Sequence, residues 1–564
     1  MRSIGVQVDL AAKSSNTQRR ARSLSPVRSS TPVLDHTVPA MGLASGDDTI
    51  TTVCPDDSLY MPTLDSTMRS TDDEISPHKD NKYIVFESQL RELFQTCKVC
   101  LQRCNPTFTC KGTLLRVECS CNDGHNYVWE SQPYIANKPA GNLLLSAAIL
   151  FSGSSPVSTL RMLELMNMKV FCRHTYFNYQ RGYLLPAIEQ VWTNHQAQLM
   201  TEIQGKESSL AGDGRCDSPG HNSKYLTYSF YHEGLRKIVH TVQVQANEVA
   251  SSSHMELEAV RRGLEELADL NVLLKSFTTD RHPGVRKYMR TTHPDVKHQF
   301  DVWHVSKGIR KKMVAASKEK NCEALELWVK PVINHLYHCV THSEGDPEQV
   351  ISMWRSFNNH VSNVHHGHDG PYSRCLHTPL SDQKRPWLLP DSRPKAKLTA
   401  ITEAKYLLKD IQHLSPDVQT SGLEAFHSLL IRFAPKSVGY SARTMRNRVY
   451  LAILHFNENA SRQHAMTEEG EPRYRVKVSK IYKQEHVALP IKEEPTFRYF
   501  DELVDKCVQL CNTWDTFNGA FEAYSCNDPP FLTETNPAPP KTELISARQH
   551  RLGPCSCLQC TLKA

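Results

Sequence analysis

Residues 271–290 read NVLLKSFTTDRHPGVRKYMR, and this stretch decides the fold. VLLKSFTTD has the composition of an apolar strand, and HPGVRKYMR reads as a helix. Asp280 closes the apolar run. An aspartate at the end of a strand directs its carboxylate out of the sheet rim. An aspartate here would also suit a helix N-cap. Pro283 weighs against that use. The residue before a proline avoids the α region, so the helix starts near Pro283 with His282 at its cap.

A second run ending in an aspartate lies upstream, in residues 208–244, SSLAGDGRCDSPGHNSKYLTYSFYHEGLRKIVHTVQV. Asp213 is its candidate acid. Asp217 competes with it, and either would suit an Asx-turn in a Gly-rich loop. The alternation in YLTYSFYH and IVHTVQVQ predicts antiparallel strands joined by the EGLRK turn. HMELEAVRRGLEELADL follows as a helix, with Ser253 and Glu256 spaced as a capping box. Leu257, Val260, Leu264 and Leu267 form its apolar stripe. VKHQFDVWHV reads as a further strand, and its Asp301 rivals Asp280 as the second acid. The order β-β-α-β-α-β predicts an α/β fold with an RNase-H-like core, although a generic α/β domain shares that order.

Two strand-end carboxylates side by side can share divalent metal, the active-site plan of RNase-H-like nucleotidyl transferases. Two-metal phosphoryl chemistry holds Mg²⁺ or Mn²⁺ ions about 3.5–4 Å apart on hard oxygen ligands. A third acid belongs on a helix packed beside the strands. Glu424, in TSGLEAFHSLLIRFAPK, is the candidate. Leu423, Phe426, Leu430 and Phe433 make one stripe and leave Glu424, His427, Ser428 and Ile431 on a neighbouring face. Ser421 and Glu424 also match a capping box, and the residues leave both uses open.

Around this core the chain of 564 residues divides unevenly. Its length suggests about three or four units at roughly 150 residues each. Hydrophobic content of 39% is low for an all-globular chain. Residues 1–80 read as a disordered tail, basic first and then acidic, whose RR-x-R-SLSPVR segment fits either a nuclear-import signal or a solvated tail. Residues 83–135 read as a zinc-ribbon-like module and 136–205 as a helical element. Residues 206–465 form the core, with a mostly helical insertion at about 310–420. Residues 466–564 read as irregular, ending in a Cys-rich tail. No apolar run is long enough for a membrane span, and no signal-peptide core is present, so no membrane partner is expected.

The 18 cysteines cluster, which in a reducing compartment points to metal rather than disulfides. Cys97, Cys100, Cys119 and Cys121 fit a structural Zn²⁺ ribbon. Cys119-x-Cys121 is a tight knuckle, so His125 is an alternative to one of the pair; Cys104 and Cys110 are further alternatives. His550, Cys555, Cys557 and Cys560 could hold a second zinc or form a flexible tail. Basic residues follow both core acids: Arg281, Arg286, Lys287 and Arg290 after Asp280, then Lys307, Arg310, Lys311 and Lys312 after FDVWHV. Such residues give salt-sensitive phosphate contacts or a solvated charged face. Their nearness to the acids favours DNA.

GDGRCDSPG, FTTDRH, HQFDVWHVSKGIRKKM, KPVINHLYHC, LLKDIQHL and GLEAFHSLLIRFAPK occur in that order. Together they resemble a eukaryotic cut-and-paste DNA transposase of the Kolobok type, a DDE group related to transposases carrying a THAP zinc finger. The resemblance covers roughly residues 83–465. It implies Asp213, Asp280 and Glu424 as a catalytic, metal-binding triad and the helical stretch as an insertion domain. Asp301 stands where related transposases have the cysteine of a C-x-x-H element, while His304 keeps its place. No THAP finger is recognisable. The expected partners are DNA and, as a homo-oligomer, further copies of the chain, in the nucleus. The competing expectation is a domesticated, non-cleaving DNA-binding or transcription-regulatory protein. A zinc-ribbon interaction module on an inert core is a third.

Overall fold

A computed structural model describes residues 76–218, 223–377, 387–415, 421–436, 438–478, 486–524 and 539–552. The N-terminal tail, apart from its last few residues, and the Cys-rich tail lie outside the described residues. The described chain is mixed α/β.

Helix α1 (Glu87–Leu93) leads into an antiparallel three-stranded sheet, β1 (Cys104–Lys111), β2 (Leu114–Cys121) and β3 (Asn126–Glu130). Gly112, at φ +62°, makes the tight β1–β2 turn. A short hairpin of β4 (Tyr134–Ile135) and β5 (Lys138–Pro139) opens four helices: α2 (Ala140–Phe151), α3 (Pro156–Leu165), α4 (Arg173–Tyr179) and α5 (Leu185–Ile203). Leu143, Leu150, Ile188 and Val191 of these helices pack into the same core as Ala211, Tyr225 and Ile238 of the next sheet.

That sheet has five strands: β6 (Glu207–Cys216), β7 (Tyr225–His232), β8 (Lys237–Gln245), β9 (Leu273–Thr279) and β10 (Lys297–Phe300), in the order β10-β9-β6-β7-β8. β6, β7 and β8 run antiparallel, and β9 and β10 run parallel to β6. Helix α6 (Met255–Asp269) crosses between β8 and β9, and α7 (Pro283–Thr292) between β9 and β10.

The period of two along β7 explains why both sheet faces are covered. Leu226, Tyr228 and Phe230 join Ala259, Val260, Leu264 and Leu267 of α6 in one core. Tyr225 and Tyr231 instead join α5 in the other. Each fully buried leucine in these layers contributes roughly 1.5–3 kcal/mol. Gly263 lets α6 come close, since a Cβ there would run into the Phe230 ring.

From β10 the chain leaves the sheet as α8 (Val302–Ser317), α9 (Leu325–His342), α10 (Pro347–His360), α11 (Arg393–Thr402) and α12 (Lys405–Ile411). These helices share a core of their own that includes Val305, Leu336, Trp354 and Leu398. The excursion begins and ends at one place. The Phe300 N–H donates to the His413 carbonyl at 2.7 Å, and the Ser415 N–H donates to the Phe300 carbonyl at 3.1 Å. Helices α13 (Ser421–Phe433) and α14 (Ala442–Glu458) then return to the face of the sheet lined by α5.

Three sequence expectations change. VKHQFDVWHV is not one strand: β10 stops at Phe300, and Asp301 caps α8 by accepting from the His304 N–H. The insertion therefore begins at Val302. Ser253 does not cap α6, whose first turn grows out of a 3₁₀ turn over Ser252–His254 with no side-chain cap. The described residues after 465 carry a strand pair, β11 (Tyr474–Val478) with β12 (His486–Pro490), and three helices, α15 (Tyr499–Thr513), α16 (Phe517–Tyr524) and α17 (Lys541–Leu552). Tyr499, Leu503, Cys507 and Leu510 give α15 a helical stripe, and it is buried against α5 and α14.

Candidate active site and metal centre

The register of the parallel pair β6–β9 sets the first relationship. Ala211 pairs with Thr278, and two residues further along each strand stand Asp213 and Asp280. Carried two residues further, that register leaves the two acids level with each other on adjacent inner strands of the sheet. Asp280 directly follows β9, as read from the sequence, and His282 caps α7 by accepting from the Val285 N–H. Asp213 differs from expectation in one respect. It lies within β6, which runs on to Cys216.

Asp217 is engaged elsewhere. Its Oδ1 accepts from the N–H groups of Lys224 (3.0 Å) and Tyr225 (3.4 Å), which closes the β6–β7 loop. Asp301 is 2% exposed and spends its carboxylate on the helix cap and on His304 Nδ1 at 2.9 Å. It supports the site from behind rather than opening onto it.

His304 is the hinge between these acids. Its Nδ1 lies 2.6 Å from Asp280 Oδ1 as well as 2.9 Å from Asp301 Oδ2. The Asp280 contact is close in distance but lacks the alignment of a hydrogen bond. Burial pulls the imidazole pKa down, yet the two carboxylates outweigh it and hold the ring at about 10. On the other side His427 Nδ1 lies 3.3 Å from Asp213 Oδ2, and Asp213 Oδ1 accepts from the Gly214 N–H at 2.8 Å.

Glu424 stands in the first turn of α13. Its Oε1 is buried without a hydrogen-bond partner, so that oxygen does not serve a capping box. Burial raises its pKa, as do the charges of Asp301 and Asp213, against the lowering effect of His304 and Lys307. The charges of Asp213 and His304 reach Glu424, and His304 also contacts Asp280, which links the acids into one charged group.

A fourth acid belongs to it. Glu256, in the first turn of α6, has its Cγ 3.6 Å from where a Cβ on Gly214 would sit. Burial, then Asp280 and Asp213, push its carboxyl up to about 7. The capping-box spacing hid it. A signal was nevertheless there: Glu256 precedes Val260, Gly263 and Leu267 at helical spacing, so a glutamate sits on the sheet-facing stripe. Tyr228 lies beneath this group, and burial followed by Glu256, Asp213 and Asp280 pushes its phenol well up.

The basic residues split into two sets. Arg281 is paired with Asp410 Oδ2 at 2.8 Å, and Arg286 lies 3.6 Å from Asp410 Oδ1. They tie the segment after Asp280 to the insertion. Lys287, Lys307, Lys311 and Lys312 are exposed, and Arg310 is half-buried. Lys307 Nζ lies 4.3 Å above the ring of Trp303, itself an exposed aromatic beside His304.

The second centre is separate. Cys97, Cys100, Cys121 and His125 bring their ligand atoms within 4.8 Å of one another, a group that could hold a metal such as zinc. Zn–S bonds of ~2.3 Å in a tetrahedron imply Sγ–Sγ separations of roughly 3.8 Å. Cys100 and Cys121 are 3.6 Å apart, and Cys121 Sγ is 3.5 Å from His125 Nδ1. Leu101, at φ +61°, turns the knuckle after Cys100. Cys119 is not in the group, and His125 takes its place. Cys119 stands two residues deeper on β2, opposite Pro106 and Tyr127, where it is buried in the module's small core. The carboxylates around Asp280 do not form such a tight group among the described residues.

No protein-family model matches the chain, and no curated protein is detectably similar to it. Among the described residues, no helix is long and apolar enough to cross a membrane.

Proposed function

We propose that the chain is a transposon-derived, DDE transposase-like protein with an RNase-H-like core, acting on DNA in the nucleus. The observation that supports this reading best is the β6–β9 register, on which Asp213 and Asp280 fall level, with Glu424 in reach of the Asp213 charge. The strand order, with three antiparallel strands followed by two parallel crossovers, is what such a core requires. A divalent cation suits this group. Glu424 Oε1 lacks a partner, and Glu256 and Glu424 are both raised first by burial and then by neighbouring carboxylates, a repulsion that a cation relieves.

Asp213, Asp280 and Glu424 would hold Mg²⁺ or Mn²⁺, which supplies an activated attacking oxygen and a stabilised leaving oxygen. The reaction is in-line phosphoryl transfer. Water attacks a phosphodiester at the element's end and releases a 3′-OH. That hydroxyl then attacks a target phosphodiester and displaces the target's 3′-oxygen. The exposed lysines of α7 and α8 bind backbone phosphates beside the acids. The zinc ribbon is structural, since all four of its positions are filled by protein.

His304 favours a second reading. A charged imidazole held 2.6 Å from Asp280 competes with a metal for that carboxylate. A protein that kept this pairing would bind DNA without cutting it. Nicking of supercoiled DNA in Mg²⁺ or Mn²⁺ separates the two readings. Cleavage by wild type that is lost in Asp280→Ala supports the first. Salt-sensitive binding with no cleavage supports the second, and equal cleavage by Asp280→Ala sinks the catalytic assignment.

A further inference from the structure

The helical insertion carries a second group of metal-ligand side chains, unrelated to the acids and to the ribbon. His360 ends α10, and His365, Cys375 and His377 lie on the segment that follows it. Their ligand atoms all fall within 4.8 Å of one another. From this convergence we infer that these residues form a closed, structural zinc site of three histidines and one cysteine.

The distances fit. Zn–S of ~2.3 Å and Zn–N of ~2.0–2.1 Å imply N–S separations of roughly 3.5 Å in a tetrahedron. His360 Nδ1 lies 3.7 Å from Cys375 Sγ. The rings of His360, His365 and His377 are centred 4.8–5.2 Å apart, and each pair is turned edge to face at 75–86°. Such rings converge their nitrogens rather than stack.

Outer contacts hold the ligands in place, as metal sites require. Asn363 Oδ1 lies 3.0 Å from His365 Nε2, which leaves Nδ1 to bind. His368 Nε2 lies 3.3 Å from Cys375 Sγ, and Asn359 Nδ2 holds the other His368 nitrogen at 3.1 Å. The Cys375 N–H donates to the His365 carbonyl at 2.9 Å, so two ligands are joined through the backbone. Trp328 and Trp387 flank the group, with Trp387 5.8 Å from His365 and Trp328 6.2 Å from His360.

The donor set selects the metal. Three imidazoles and one thiolate suit zinc and exclude the hard cations that the acids would take. Four protein ligands leave no open position, so the site is structural. Its place explains its use. Between α10 and α11 the described residues form no helix or strand longer than the single His366–Arg374 bridge. Long segments without regular structure are uncommon in compact folds unless something else orders them. Zinc would staple this one to the end of α10.

The test uses the full chain and counts zinc by mass spectrometry after dialysis against a mild chelator. Cys375→Ser and His377→Ala should each hold one zinc fewer per chain than wild type, and His377→Cys should keep it. Cys100→Ser should lose a different equivalent, so Cys375→Ser/Cys100→Ser loses two. A Cys375→Ser protein with the wild-type zinc content overturns the site. Should that variant fail to fold, alkylation of wild-type Cys375 decides. Protection that disappears on strong chelation supports the site, and equal labelling with and without chelator overturns it.

Discussion

His304 places its Nδ1 2.6 Å from Oδ1 of Asp280, the acid that ends the second central strand. The ring is held at about 10, above its ordinary 6.5, despite a burial penalty. The pair's stabilisation is therefore complete below about pH 6.5 and is lost as pH rises through about 10. His304→Ala should lose about 1–2 kcal/mol at pH 6, a value reduced for the partial exposure of Asp280, and much less at pH 10.5. Denaturant melts at the two pH values check this. Equal losses at both would show that the ring contributes packing alone.

Glu256 has the opposite sign. Its carboxyl is raised from 4.5 to about 7, so the native state binds more protons between those values and stability falls as pH rises through them. Glu256→Gln should match wild type at pH 4 and exceed it above pH 7, by up to about 3 kcal/mol at ~1.4 kcal/mol per unit. Thermal melts without divalent cations read the difference. An identical pH dependence in the variant would remove Glu256 from the acidic group.

What could be read in advance follows the range of the interactions. Asp280 was legible because its evidence is local: an apolar run, then Pro283 and the His282 cap. The sheet that sets it beside Asp213 was legible as an element order but not as a register, since pairing is made across many residues. Glu256 was missed because its near neighbours spell a capping box, while its partners lie on β6 and after β9. Asp301 looked like a strand acid because FDVWHV alternates, yet the cap it makes on α8 ends the strand. Choosing His125 over Cys119 required the pairing of β2 with β1 and β3.

Gly212 sits where β6 passes over Tyr228. A Cβ there would lie 2.5 Å from the Tyr228 hydroxyl and 2.8 Å from Phe277 Cζ. Gly212→Ala should cost about 1–3 kcal/mol by overpacking. Tyr228→Phe should be nearly neutral, because the buried hydroxyl has no hydrogen-bond partner to lose. Urea unfolding of the two variants checks both signs.

Asp410 is 7% exposed and engages Arg281 and Arg286 together. Asp410→Asn should free both guanidinium groups toward solvent. If they then reach DNA phosphates, the slope of log affinity against log salt steepens by about one per added contact. Fluorescence anisotropy over a salt series measures it, and an unchanged slope would show that the arginines serve only to hold the insertion.

The proposed shared use of Asp213, Asp280 and Glu424 is tested most directly by Mn²⁺ binding to the full chain prepared with zinc, followed by calorimetry. Wild type should bind, and Asp213→Ala, Asp280→Ala and Glu424→Gln should each weaken binding at least about tenfold, the effect of ~1.4 kcal/mol per lost ligand. Asp217→Ala, whose carboxylate closes a loop, should bind as wild type does. Mn²⁺ binding left intact in all three acid variants would contradict a metal site built on these residues.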